Sequence, residues 1–357
     1  MITKLIAHYL PQYHEIPENN DAWGNGFTEW VNVKKASKLF ENQYQPREPL
    51  NDNYYNLLDV KTMEWQAKLL NEAGIYGLCF YHYWFNGRLV LEKPVKNLLR
   101  EKSINLRYCF AWANEPWTKT WHGAGGDREI LIPQQYGMEE EWERHYQYFL
   151  PYFKDERYIR ENNAPMVLVY RLRNIPQFNQ MIRYWKKRAV NDGFAGIYIV
   201  SMNVGREHVA MSRWVDASVD FEPNTTKYEL YASKGKNSQV LNYDDICQNM
   251  LKRPHGKNYF RTMFVDYDDT PRRGKCGIYM VNGSPDKFGF YLEEAVKRSN
   301  EEGNGYIFLN AWNEWGEGNY LEPDKRWGYA YLRKICGIVR GYEYAEKSDI
   351  LGSGGKC

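Results

Sequence analysis

The sequence predicts an α/β fold, a single (β/α)8 (TIM) barrel with long βα loops. Three observations lead there. Eight short, near-continuous apolar runs punctuate the chain, and longer amphipathic segments separate them. Polar–aromatic patches follow most of these runs and never precede them. Apolar runs without alternation imply strands buried on both faces, as in a parallel sheet covered by helices. The alternation of strand and helix, eight times over 357 residues, fits a barrel with loop insertions.

The strand segments, in order, are KLIAHYL (4–10), YGLCFYHYW (76–84), LRYCFAW (106–112) and MVLVYRL (166–172), then GIYIVSM (196–202), ASVDFE (217–222), FRTMFVDY (260–267) and GYIFLNAW (305–312). Between the first two, LDVKTMEWQAKLLNEAG (58–74) spaces its apolar residues by three and four and stops at Gly74, a helix C-terminal signal. Helices follow similarly over 91–102, 139–155, 176–193, 244–253, 286–303 and 324–342. The stretch REHVAMSRW (206–214) is a weaker helix after the fifth strand. Long insertions occupy 11–57 and 113–138. No repeat or internal boundary breaks the chain, so residues 1–345 form one catalytic barrel and 346–357 a flexible tail.

Composition narrows the function. The 47 basic and 45 acidic residues leave a net charge of +2, which gives no footprint for nucleic acid. No segment approaches 18 apolar residues, so no membrane span is expected. The N-terminus MITKLIAHYLPQYHE has no signal-peptide pattern, which makes a cytoplasmic location the expectation. Six cysteines show no CxxC and no Cys/His metal spacing, and Cys79 and Cys109 read as small buried hydrophobes. Aromatics are abundant, with 13 Trp, 30 Tyr and 15 Phe. Many of the tryptophans stand beside Asn, Gln, His or Glu. A flat ring beside a polar handle suits the faces and hydroxyls of a sugar.

The patches supply the candidate residues. PQYHE and WGNGFTEW follow the first strand, YHYWFNG the second, AWANEPWTKTWHG the third, FEPN the sixth, DYDDTPRR the seventh and NAWNEWGEG the eighth. In a barrel, the C-terminal ends of the strands carry the active site. Substrate binding is therefore expected from Tyr9, Gln12, Trp23, Trp30, His82, Trp84, Trp112, Asn114, Glu115, Trp117, Trp121, Glu222, Asn313 and Trp315. Asp266, Asp268 and Asp269 read as a solvated turn. Glu314 and Glu317 are the catalytic candidates, because two glutamates wedged among tryptophans and glycines after a buried strand are not a surface pattern. Glycosidic bond cleavage needs two carboxylates, one protonated beside apolar rings and one ionised. A competing pair exists. ANEP (113–116) resembles the acid/base motif of the large clan of retaining barrel glycosidases, with Glu314 as its nucleophile. That clan places its glutamates after the fourth and seventh strands, whereas here they follow the third and eighth, which favours Glu314 with Glu317.

The segments HYLPQYHEIPENNDAWGNGFTEW, FYHYWF, WANEPWTKTW and NAWNEWGEGNYLEPD resemble the WbsX-type proteins, from about residue 4 to about 340. That glycosyltransferase-like group occurs with bacterial O-antigen and capsule biosynthesis and is related to glycoside hydrolase family 99, the endo-α-mannosidases. The resemblance implies a (β/α)8 barrel, no metal or nucleotide cofactor, and an E-W-x-E segment in which Glu314 matches the base and Glu317 the general acid. The base would deprotonate the substrate's own 2-hydroxyl, and an anhydro-sugar intermediate would give retention. Gly316 departs from the pattern, since the mannosidases carry histidine there.

The implied function is a retaining glycoside hydrolase or transglycosylase acting on mannose-like or deoxy-sugar linkages of bacterial surface polysaccharide, with an oligosaccharide or polysaccharide as partner. Two alternatives stay open. A polysaccharide-assembling glycosyltransferase would need a diphosphate site, for which DYDDTPRRGK with Arg272, Arg273 and Lys275 is the candidate, since no glycine-rich phosphate loop follows a strand. A non-catalytic sugar-binding barrel would use the same aromatic clefts.

Overall fold

A computed structural model describes residues 3–119, 129–204, 213–233 and 239–352. Its centre is a closed barrel of eight parallel strands: β1 (Lys4–Tyr9), β2 (Gly77–Phe85), β3 (Tyr108–Trp112), β4 (Ala164–Val169), β5 (Tyr198–Asn203), β6 (Ala217–Asp220), β7 (Tyr259–Phe264) and β8 (Tyr306–Asn310). Each pairs with its sequence neighbour, and β1 closes the ring by pairing with both β8 and β2. All eight strands coincide with the apolar runs read from the sequence. Every residue of β2 is buried, the signature of a strand covered on both faces.

The helices α1 (Pro17–Trp23) and α2 (Glu29–Lys35) lie in the first loop, ahead of α3 (Val60–Ala73). The Asp59 side chain caps α3, and Gly74 ends it in the left-handed conformation, φ +78°, with Val339 only 2.9 Å from where a Cβ would stand. The outer ring continues with α4 (Lys93–Arg100), α5 (Glu139–Phe153), α6 (Phe178–Asn191), α7 (Asn224–Ser233) and α8 (Tyr243–Lys252). It ends with the short turn α9 (Thr270–Arg273), α10 (Pro285–Glu301) and α11 (Ala330–Gly352). The sequence did not announce α7, whose NTTKYELYAS carries no apolar stripe. The weaker helix expected around 206–214 falls mostly outside the described residues. The last helix reaches Gly352, so residues 346–352, expected as tail, are helical. No helix among the described residues is long and apolar enough to cross a membrane.

The barrel interior and the barrel–helix layer receive alternate residues of each strand. Around the axis His8 meets Tyr81, Phe221 and Phe308 at ring-centroid distances of 5.7, 5.6 and 5.5 Å. On the outer face Tyr9 donates to Gln66 of α3 (2.8 Å) and Trp84 donates to Glu141 of α5 (2.6 Å). The first loop then folds back across the barrel mouth. Gln43 and Gln45 donate to Asp268 (2.9 and 3.0 Å), and Arg47 pairs with Asp266 at 2.8 Å and donates to the Gly318 carbonyl.

Candidate active site

Strand C-termini converge on a cavity of about 250 Å³, just under the usual small-molecule range of about 300–1,000 Å³. Among the described residues five aromatics line it: Tyr81 and Tyr83 of β2, Trp117, Tyr170 and Phe221. The polar wall includes Glu314, Glu317, Arg272, Asn310 and Glu115. Tyr81 Oη and Asn310 Oδ1 are buried and have no protein hydrogen-bond partner. Buried polar atoms are normally satisfied. Two that line a cavity are suited to a ligand that supplies hydroxyls.

Glu314 and Glu317 sit on the tight turn after β8. Arg272 of α9 binds both, through Nη2 to Glu314 Oε2 (2.9 Å) and Nη1 to Glu317 Oε1 (2.6 Å), while its Nε donates to Glu29 Oε1 (2.7 Å). Three carboxylates thus share one guanidinium whose side chain is 7% exposed. Glu29, fully buried, comes from the start of α2, where its N–H donates to the Gln12 carbonyl. A Cβ at Gly316 would stand 1.8 Å from Glu29 Oε1 and 2.8 Å from Arg272 Nε, so glycine is required for this junction to form. Gly318, φ +62°, lies against Arg47, whose Cζ would be 2.6 Å from an added Cβ. The Asp268 N–H fixes the Glu317 carbonyl (2.7 Å).

Burial pushes the Glu314 carboxyl up to about 8; Arg272 opposes the shift, and the neighbouring Glu317 and Glu29 charges add to it. Glu317 is the more open of the two, with a side chain 26% exposed. Behind them Glu322 is buried and accepts from Gln66, Tyr55, Trp312 and Trp315. Burial raises it to about 7. Lys227 of α7, also buried, lies 3.5 Å from the Tyr267 ring centroid, and burial lowers it to about 8.

Of the residues expected at the site, the cavity is lined by Glu314, Glu317, Glu115 and Trp117. Glu115 pairs with Arg171 at 3.1 Å. The other described ones are not part of its lining. Tyr9, His82, Trp84 and Trp112 face the helices rather than the axis. His82 meets His145 at 2.8 Å, where burial lowers it to about 3, and Trp112 packs on His145 and Trp185. Glu222 faces outward to Arg253 at 2.7 Å. Asn114 and Asn313 are wholly buried braces, the first donating to Tyr136 and the Arg171 carbonyl, the second bridging both backbone groups of Leu10. Trp30 and Trp315 pack together at 5.4 Å, and their indole N–H groups go to Tyr55 and Glu322. Trp23 stacks near Phe27 at 4.9 Å, and Gln12 is buried beneath α2. Trp121 lies outside the described residues. Asp268 and Asp269, expected in a solvated turn, are buried; they accept from Gln43, Gln45, Thr270, Tyr267 and the Ile278 N–H. Sequence reasoning did not place Glu29, Tyr81, Tyr83, Tyr170, Phe221 and Asn310 at the site, and it offered Arg272 for phosphate. Glu29, the two β2 tyrosines, Phe221 and Asn310 lay inside the quoted motifs.

Among the described residues no group of three His, Cys, Asp or Glu is arranged to hold a metal ion. The five described cysteines are free, and Cys79 and Cys109 are buried.

The sequence pattern of the family described as Glycosyltransferase WbsX matches residues 5–335, nearly the whole barrel. The chain belongs to the WbsX family. This WbsX chain is 33% identical over 338 residues to an uncharacterized protein, WxcX, of Xanthomonas campestris pv. campestris, in strains ATCC 33913 and B100. The match covers 92% of this chain and 48% of WxcX, so the chain spans about half the length of these curated relatives. Its fold is that of the GH99 endo-α-mannosidase from Bacteroides thetaiotaomicron solved with BIS-TRIS-propane, with a TM-score of 0.62, 14% identity, and coverage of 96% of this chain and 98% of that one. A glycoside hydrolase-like protein is similar too, with a TM-score of 0.57, 15% identity, and coverage of 95% and 94%.

Proposed function

We propose that this barrel is a retaining glycoside hydrolase or transglycosylase acting on mannose-like or deoxy-sugar linkages of bacterial surface polysaccharide. One observation carries the reading. Two carboxylates from the turn after the last strand converge on a single guanidinium at the wall of a ring-lined cavity. Family membership supports glycosyl transfer as the reaction class.

In this reading Glu314 is the base and Glu317 the acid. Glu317 gives its proton to the leaving glycosidic oxygen as the C1–O bond breaks. Glu314 takes the proton of the 2-hydroxyl, whose oxygen closes on C1. In the second half, water or an acceptor hydroxyl opens the anhydro ring, returns a proton to Glu317 and receives C1, while Glu314 reprotonates O2. Two displacements at C1 give retention. The deep position of Glu314 makes its ionised form a strong base, and Glu317 is the more open of the two. Arg272 holds both side chains in one orientation before substrate arrives.

Paired substitutions test the roles. Glu317→Gln is expected to lose about 10²–10⁴-fold on substrates with poor leaving groups and to keep activity on activated aryl glycosides, which need no acid. Glu314→Gln is expected to lose activity on both. Equal activity of either variant and the wild type on every turned-over glycoside would end the assignment. A nucleotide-sugar glycosyltransferase is the weaker reading, because Arg272, its main phosphate candidate, is committed to carboxylates.

A further inference from the structure

The charge of the cavity wall selects its ligand. Among the described residues four carboxyl or basic side chains line the cavity, the carboxyls Glu115, Glu314 and Glu317 and the guanidinium Arg272. The one cation is already engaged on three sides, by Glu29, Glu314 and Glu317 at 2.6–2.9 Å. The other cations nearby lie outside the lining and are engaged elsewhere. Arg171 pairs with Glu115 and donates to the Val204 carbonyl. Lys227 is buried against the Tyr267 ring. Arg273 pairs with Asp269 and lies outside the lining. The unpartnered Asn310 Oδ1 is an acceptor with no donor of its own and asks for a hydroxyl or an N–H from the ligand.

We infer that this cavity takes glycosides that are uncharged or carry an ammonium group, and rejects those bearing a carboxylate or phosphate. The inference rests on the reading of the cavity as a glycoside site and names its substrate class. An anionic substituent here would lose its water and meet the Glu115 and Glu317 carboxylates, with no uncommitted cation among the described residues to receive it. Like charges brought together in a desolvated site are a strong source of rejection. The same wall disfavours a nucleotide diphosphate, so the glycosyl donor is itself a glycoside. A free amine on the sugar would find the Glu115 carboxylate or the Asn310 side-chain oxygen.

Calorimetric titration of the intact protein tests this without turnover. In the manno and gluco series, the probes are methyl glycosides with a hydroxymethyl, a carboxylate or an aminomethyl group at C5, together with UDP and GDP with and without Mn²⁺. Neutral and amino members are expected to bind at least about tenfold more tightly than the matching uronate. The nucleotides are expected to give no saturable binding. Glu115→Gln should narrow the amino-to-uronate ratio, as should higher salt. A uronate or nucleotide that binds as tightly as its neutral counterpart overturns the inference, and so does absence of binding by every neutral and amino member. Charge discrimination with no turnover of any glycoside would count against the catalytic reading alone.

Discussion

Arg272→Met is the sharpest perturbation of this architecture. It keeps an unbranched apolar stem, though a shorter one, and deletes a charge shared by three carboxylates, with side-chain exposures of 0% for Glu29, 9% for Glu314 and 26% for Glu317. Removing one partner of a buried ion pair costs about 3–5 kcal/mol, because the remaining charge is left uncompensated. Here the most exposed pair, with Glu317, adds least. The loss at pH 8 is therefore expected within that range. At pH 5 the orphaned carboxylates can escape by protonation, at about 1 kcal/mol each from an unfolded value near 4.3. The penalty should shrink to about 1–3 kcal/mol. The sign follows from the direction of the shift. Deleting the cation raises the folded-state proton affinity, so the variant is best matched to wild type at low pH and loses ground as pH rises through the raised values. Urea unfolding of both proteins at pH 5 and pH 8 gives the comparison directly. Equal losses at the two pH values, or a loss under about 1 kcal/mol at pH 8, would refute the account of the cluster.

Gly316→Ala inserts a Cβ 1.8 Å from Glu29 Oε1, so the Glu29–Arg272 contact must open. Turnover is expected to fall about 10²-fold or more, and the double variant with Glu29→Ala should lose less stability than the two single losses added, read by thermal unfolding. Tyr81→Phe removes a hydroxyl with no protein partner, so stability should stay within about 0.5 kcal/mol while sugar affinity drops about tenfold by titration. Trp84→Phe breaks a bond to Glu141 on the outer face; it should lower stability by about 1–3 kcal/mol in urea and leave KM unchanged. With Glu314 as base and its proton held to about 8, kcat/KM should rise with pH through that value, and Glu314→Gln should remove the ascending limb; a profile that instead falls through about 8 would exchange the roles of the two glutamates.

The fold was legible because it depends on pattern. Eight apolar runs, spaced by amphipathic segments, name the strands, and sequence order gives the ring. The patches lie at the C-terminal ends of the strands, the end at which the ring-lined cavity is found. What could not be read was the face. In YHYW, Tyr81 and Tyr83 turn to the cavity while His82 and Trp84 turn to α5. The same one-residue slip separates Phe221 from Glu222, and Ala113 from Trp112 and Asn114. A strand half exposed to water betrays its parity through alternating hydropathy. A barrel strand is buried on both sides, and that signal vanishes.

The outer polar residues then have a consistent explanation. His82, Trp84, Glu222 and Tyr9 stand where a strand would ordinarily present an aliphatic side chain to a helix, and each is matched by a polar group: His145, Glu141, Arg253 and Gln66 respectively. A buried polar atom without its partner costs about 1–3 kcal/mol, so each of these pairs admits few orientations of its helix. The mouth is braced in the same way. Asn313 ties the last loop to the first at Leu10, Arg47 ties it to Asp266, and Glu29 arrives from α2 to complete the Arg272 cluster. These contacts join segments about 220 to 300 residues apart in sequence. No local motif could announce them, yet closure of β1 onto β8 makes them neighbours. The tryptophan-rich motifs are therefore the scaffold that holds a small set of carboxylates, one guanidinium and five rings in register, and substitution within them should reach the chemistry through the positions of Glu314 and Glu317.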